Sequence, residues 1–410
     1  MSSHAENMGV EGELQNCPIM PTYAAPSIMF IRGEGTELWD SEGKRYLDFV
    51  GGLAVQSLGH ANPEIAEVIG EQAGKLTQVS NYWATEHAHH VAIEIDKAVT
   101  GHINEPSYSP YNPTGQVFFC NSGAEANELA FKIARKATSQ SKYTVLTATD
   151  SFHGRTLAAL AACGQPHKHE PFAPMPQGFT HIARGDIEAL NGAVDETTAA
   201  VHLEPILGEG GVWPHTSDYL SKAESLTREH GLLFMVDEVQ SGLCRTGEWF
   251  SFQHYGLNPD VVCMAKALGN GFPIGAVWVK RELAASFEAG DHGSTYGGNP
   301  LGTAVARKVL EIMKRDNYNL KAQLIEEQIR TSMSEVPQVI SIRGNGAMLA
   351  IELHQAISKE VAAEATIKGL LVNPITPTAL RLTPPLTTSA DQIETGMQIL
   401  KGILNAQASS

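Results

Sequence analysis

From about residue 115 the chain alternates short apolar runs with segments of helical period. Val117–Cys120, Tyr143–Thr147, Ala199–Leu203, Leu232–Val236, Val261–Met264 and Ile274–Val279 read as strands, mostly apolar on both faces. Strands of that kind belong to a mostly parallel sheet covered by helices on both sides. Between them, Ala126–Ala137 repeats apolar residues at Leu129, Ile133 and Ala137, which predicts a helix, and Tyr219–Glu229 predicts another. Upstream, Glu37–Asp48 reads as two short strands around a turn at Ser41–Lys44, followed by helices at Pro63–Lys75 and Thr85–Val99. After Gly302 the pattern changes. A long helix, Ala304–Lys314, leads into a smaller α+β region with strands at Val339–Arg343, Leu349–Leu353 and Ala379–Leu382. Residues 1–17 read as a loose tail. The fold class expected is α/β, with a large domain followed by a smaller α+β one.

Bulk properties narrow the function. A chain of 410 residues, 42% hydrophobic and 18% charged, has enough apolar material for a large core, and its length suggests roughly two or three domains. The net charge of −16 argues against nucleic acid or an anionic membrane as partner. An anionic substrate would have to be drawn in by a few local arginines. The five cysteines, Cys17, Cys120, Cys163, Cys244 and Cys263, form no CxxC pair, which fits a reducing compartment. No run approaches the ~18 apolar residues of a membrane helix, and the first arginine, Arg32, follows three glutamates, unlike a transit peptide. A cytoplasmic location is expected.

The chemistry concentrates where apolar runs end. Asp237 closes Leu-Leu-Phe-Met-Val, and Lys266 lies between two apolar runs ahead of a glycine-rich turn. An amine and a carboxylate at strand ends suggest covalent carbonyl chemistry with a cofactor, although a lone lysine there can simply snorkel to solvent. Asn121-Ser-Gly-Ala-Glu-Ala-Asn127 follows a strand and opens a helix, as a phosphate site or an ordinary helix start capped by Ser122 would. In Ser151-Phe-His-Gly-Arg-Thr156, Phe152 can stack on a planar ring and Arg155 can clamp a carboxylate; His153 reads as structural or a modest contact. Glu209 lies among glycines in a turn. Gln240, three residues after Asp237, can reach a ring oxygen. Ser294 and Thr295 offer hydroxyls to a phosphate, and Arg381 alternates with leucines, either as a carboxylate clamp or as an exposed arginine on an edge strand. Gly269–Gly275 lacks the spacing of a dinucleotide fingerprint. Glu86-His87-Ala88-His89-His90 is a weak metal signal, and no metal is expected.

Taken in order, these motifs resemble the class III aminotransferases, and among them most of all the acetylornithine aminotransferases, within the fold type I pyridoxal-phosphate enzymes. The resemblance runs from about Pro21 to Leu404 and extends to Gly242–Gly247 and Tyr296–Leu301. It implies pyridoxal 5′-phosphate as cofactor, bonded covalently to Lys266, with Asp237 on its ring nitrogen, Phe152 stacked on the ring and Gln240 at its phenolic oxygen. Ser122, Gly123 and Ala124 would hold the phosphate, with Thr295 arriving from the other subunit of a homodimer. Arg155 and Ser294 would contact the acylornithine, Arg381 would clamp the α-carboxylate of glutamate, and Glu209 would pair with Arg381 while the ω-amino donor is bound. Tyr23 would stand at the substrate mouth.

The same resemblance divides the chain into a tail (1–17), a segment joining the small domain (18–62), a large cofactor domain (63–302) and a small domain (303–410). The reaction implied moves the ω-amino group of N-acetylornithine to 2-oxoglutarate in arginine synthesis. Alternatives are another ω-aminotransferase acting on succinylornithine, N-succinyl-diaminopimelate, ornithine or 4-aminobutyrate, an aminomutase, and a non-catalytic scaffold, which would have no need of Lys266, Asp237 and two arginines. Two positions depart from the family pattern. Cys244 stands where glycine is frequent, and Asn81-Tyr-Trp83 replaces Asn-Leu-Phe, which bears on the acyl pocket.

Overall fold

The computed structural model describes residues 18–24, 26–105 and 108–407; the tail with Cys17 lies outside them. Three strands, β1 (Phe30–Glu34), β2 (Glu37–Asp40) and β3 (Arg45–Asp48), pair in sequence as antiparallel neighbours. The Ser41–Lys44 turn between β2 and β3 is built on Asp40, whose Oδ1 accepts the N–H groups of Glu42 and Lys44 at 3.0 and 2.9 Å.

The main layer is a seven-stranded sheet. Its strands in chain order are β4 (Gly115–Cys120), β5 (Thr144–Ala148), β6 (Phe179–Ile182), β7 (Thr198–Leu203), then, after the short hairpin β8 (Ile206–Leu207) and β9 (Trp213–Pro214), β10 (Leu233–Asp237), β11 (Val261–Met264) and β12 (Gly275–Lys280). Their spatial order is β4-β12-β11-β10-β7-β5-β6, and β12 alone runs against its neighbours. Both faces are covered, as the apolar runs predict. Phe234 and Val236 point into one core cluster with Leu203, while Met235 between them points into another with Phe131 and Ile133. Strand β6 is absent from the expected set. It is one of the two edge strands, and Phe-Thr-His-Ile carries too few apolar residues to stand out. The helix after β4 spans Gly123–Lys136 and starts three residues ahead of the predicted one, because Ser122 Oγ accepts the Glu125 N–H at 3.2 Å, while Gly and Ala give no periodic signal.

The remaining strands are β13 (Val339–Asn345), β14 (Met348–Leu353), β15 (Leu370–Leu371), β16 (Asn373–Thr376) and β17 (Ala379–Leu382). Four of them form an antiparallel sheet ordered β13-β14-β17-β16. Of the two readings of Arg381, the structure excludes the exposed arginine on an edge strand. β17 is an interior strand, buried at every position, and Arg381 is 1% exposed. β15 pairs in parallel with β3, Leu370 opposite Leu47, so the chain's beginning and its last third share one sheet. Among the described residues no helix is long and apolar enough to cross a membrane.

Candidate active site

The carboxyl ends of the parallel strands bring the chemistry together. Ser122–Ala124 follow β4, Phe152 and Arg155 follow β5, Glu204 and Glu209 follow β7, Asp237 ends β10 and Lys266 follows β11. These residues, with Val239, Gln240 and Asn127, line a cavity of about 400 Å³. Ligands gather at such strand ends because the loops there are free to converge.

Lys266 is at the cavity wall with φ 40°, a left-handed conformation that costs a residue bearing a Cβ about 1 kcal/mol or more. Strain of this kind collects at functional positions. Burial lowers the pKa of its amine; Glu209 and Asp237 oppose this, and the Arg381 charge adds to it. Asp237 is 4% exposed. Burial by itself raises its pKa, but hydrogen bonding and charge from His153, with His202 and the Val239 N–H, outweigh that and hold the carboxyl below its ordinary range. His153 is thus a buried partner of Asp237, its Nδ1 2.9 Å from Oδ2.

Arg381 does not line the cavity. It lies behind Glu209, whose carboxylate accepts a hydrogen bond from its guanidinium, and Gln240 Oε1 accepts a second at 3.2 Å. Although burial pushes the Glu209 carboxyl up, Arg381 pulls it net below its usual value. Arg155 differs. It is exposed, lies 5.5 Å from the centre of the Phe152 ring and makes no ion pair among the described residues.

Ser294 and Thr295 are not brought to Lys266 by this chain. They line a second cavity of about 1030 Å³ with Gln78, Asn81 and Trp83. Ser294 Oγ accepts hydrogen bonds from Asn121 Nδ2 at 3.2 Å and the Gly297 N–H at 2.9 Å, and the Thr295 carbonyl accepts one from Gln78. Tyr23 is 89% exposed and lines neither cavity. His87 Nε2 of the His-rich stretch is 3.2 Å from Gln72 Oε1.

The sequence reading overlooked four residues. Val239 faces the cavity two positions after Asp237, a spacing that an alternating strand end would have suggested. Glu204 joins two loops, accepting the N–H groups of Phe152 at 2.8 Å and Gly208 at 2.9 Å, and burial raises its carboxyl to about 7. Lys168 lies 5.0 Å from the centre of the Phe152 ring, and no local motif marks it. Asn127, inside the motif after β4, bonds Asp237 directly.

A profile of the aminotransferase class-III family matches residues 20–404. The chain belongs to the class-III aminotransferases. Curated relatives match it over nearly their whole length. The acetylornithine aminotransferase of Caldanaerobacter subterraneus is 43% identical over 94% of this chain and 97% of its own. That of Corynebacterium efficiens is 41% identical, over 96% and 97%. Among solved structures, N-acetylornithine aminotransferase from Stenotrophomonas maltophilia superposes with a TM-score of 0.79 at 31% identity, covering 94% of this chain and 98% of that one. Ornithine aminotransferase from Toxoplasma gondii gives 0.87 at 29% identity, over 97% and 94%.

This class-III aminotransferase is a fold type I transaminase dependent on pyridoxal 5′-phosphate, and its cavity fits that group. The N–H groups of Gly123 and Ala124, in the first turn of their helix, have no intrahelical acceptor and suit a phosphate. Asp237 Oδ1 accepts one N–H, from Val239 at 3.0 Å, and keeps acceptor capacity toward the cavity for a protonated ring nitrogen. Phe152 and Val239 are apolar walls for a flat ring, and Lys266 supplies the amine.

Proposed function

We propose that this class-III aminotransferase moves the ω-amino group of N2-acetyl-L-ornithine to 2-oxoglutarate. The observation that carries the reading is the unequal state of its two arginines. Arg155 lies exposed over Phe152 with no ion pair among the described residues, while Arg381 is masked behind Glu209. Two anionic substrates of different length can then use one cavity. The donor places its α-carboxylate on Arg155 and its distant amine at Lys266 while Glu209 stays on Arg381. 2-Oxoglutarate displaces Glu209 and takes Arg381 bidentately. The curated relatives of the same length support this choice.

Within this reading Asp237 holds a ring nitrogen in its protonated form, Phe152 stacks on the ring, Gln240 reaches its phenolic oxygen, and Ser122, Gly123 and Ala124 hold the phosphate. The bound group supplies a carbonyl that accepts the amino group and a ring that withdraws electrons from the neighbouring carbon. Lys266 Nζ, its pKa lowered by burial, is the base that takes the proton from the donor's terminal carbon. The second cavity, with Ser294, Thr295 and the exposed Trp83 and Tyr82, supports a homodimer in which a second copy brings Thr295 to the phosphate and Ser294 to the donor. Tyr23 belongs to the substrate mouth, and the enzyme is cytoplasmic.

A half-reaction screen of amino donors, read as loss of the bound cofactor's visible band, tests the substrate. N2-acetyl-L-ornithine is expected to react fastest; a clear preference for ornithine or 4-aminobutyrate would sink the assignment. A succinylated donor is the second reading, favoured by Lys168, whose ammonium adds a cation beside Arg155. Lys266→Ala is expected to abolish turnover, and multiple-turnover transamination by that variant would contradict the role given to Nζ.

A further inference from the structure

At the floor of the cavity, Asn127, His153 and Asp237, with His202 behind them, form one buried hydrogen-bonded group, each no more than 4% exposed. Asn127 commits every polar atom of its side chain. Nδ2 donates to Asp237 Oδ2 at 2.7 Å and to the His153 carbonyl at 2.8 Å. Oδ1 is 2.9 Å from His202 Nε2. A flipped amide would turn its oxygen toward a carboxylate and a carbonyl, two groups that only accept, so the orientation follows from the partners. His202 Nε2 must therefore carry a hydrogen and donate it to Asn127. Burial pushes this imidazole down to about 3, so it is neutral and its tautomer is set.

Asp237 Oδ2 thus receives two donors, Asn127 Nδ2 and His153 Nδ1. Oδ1 receives the Val239 N–H alone, and Asp237 lines the cavity. The other titratable groups around Asp237 are Glu204, Glu238, Cys263 and Lys266. Glu204 and Glu238 carry negative charge once ionised and disfavour a second buried anion, while His153 and the Lys266 ammonium favour it, and the Asn127 N–H adds a neutral donor on the same side.

We infer that Asn127 is a positioning residue for Asp237: by saturating Oδ2, and being itself held by His202, it leaves Oδ1 as the ionised acceptor presented to the cofactor ring. The inference rests on the proposed role of Asp237. It acts along a chain, His202 to Asn127 to Asp237, in which the last member is the acceptor for the ring nitrogen.

The test uses the isosteric Asn127→Asp, which keeps the shape and removes both N–H donors. The readouts are the dissociation constant of pyridoxal phosphate from the apoenzyme and the pH midpoint of the visible band of the loaded enzyme. Asn127→Asp is expected to weaken binding by at least roughly tenfold and to move the midpoint by about one pH unit, the equivalent of that factor. His202→Phe is expected to move both in the same direction, less far, and His202→Gln, which restores an N–H donor, to recover most of the change. Wild-type affinity and midpoint in Asn127→Asp overturn the inference. If that variant does not fold, indistinguishable His202→Phe and His202→Gln proteins overturn it instead. Asp237→Asn separates the two levels. If it too behaves as wild type, the role of Asp237 falls; if it is altered while Asn127→Asp is not, only the role of Asn127 falls.

Discussion

Two arginines with the same charge are put to different uses by burial. Arg155 is exposed and stacks beside Phe152, whereas Arg381 is almost wholly enclosed and held through one nitrogen by Glu209 and Gln240. Removing Arg381 leaves Glu209 without its cation and, in the proposed function, 2-oxoglutarate without its fork. Arg381→Ala is therefore expected to slow the 2-oxoglutarate half-reaction by about a hundredfold or more, while the donor half-reaction changes far less. Single-turnover kinetics of the two halves check this, and equal losses in both would contradict the division of labour. Arg381 was legible in the sequence as a candidate clamp. Its burial was not, because alternation with leucine looks the same on an interior strand as on an edge.

Glycine and its neighbours decide two local elements. At the start of helix Gly123–Lys136, a Cβ on Gly123 would lie 2.7 Å from Val239 Cγ1. Gly123→Ala must displace Val239, a cavity wall, and is expected to weaken cofactor binding by roughly tenfold with the helix intact. Titration of the apoenzyme, beside circular dichroism, checks it. In the turn after β10, Leu243 and Cys244 have φ of 56° and 68°, a backbone that a glycine at position 244 would adopt without strain. Cys244 is fully buried, so truncation loses packing in either direction. Glycine also relieves the backbone strain, and alanine keeps it. Cys244→Gly is expected to be more stable than Cys244→Ala by about 1 kcal/mol, the reverse of the usual order. Chemical denaturation of both variants measures the difference.

At the scale of the molecule, Arg245 fastens the parts together. Its guanidinium, fully buried, donates to the carbonyls of Ala347 at 3.2 Å and Pro384 at 2.5 Å and to Ser57 Oγ at 2.9 Å. These acceptors come from widely separated segments, and no carboxylate among the described residues pairs with it. Burial lowers its pKa to about 9. Arg245→Met would strip a donor from three buried acceptors at once, and is expected to cost on the order of 3 kcal/mol, seen as a lower Tm. An unchanged Tm would show that the bridge contributes nothing net. The motif around Arg245 was visible in the sequence, but its partners, more than a hundred residues away on either side, were not.

The sequence by itself determined the alternation of apolar strands and helices, hence the covered parallel sheet, and the order of motifs at strand ends, hence the family. Those follow from local periodicity and from residue types that few chemistries need together. Tertiary structure alone decided which polar groups are enclosed and which atoms they meet. It put Arg381 inside the small sheet, set Lys266 in a left-handed backbone, and joined Asn127 and His202 to Asp237 across three elements. It also kept Ser294 and Thr295 in a separate cavity from Lys266 within one chain. The reason is physical. Periodicity reports which side of an element avoids water, but a hydrogen bond between distant residues depends on how the elements are stacked, and no local pattern records that.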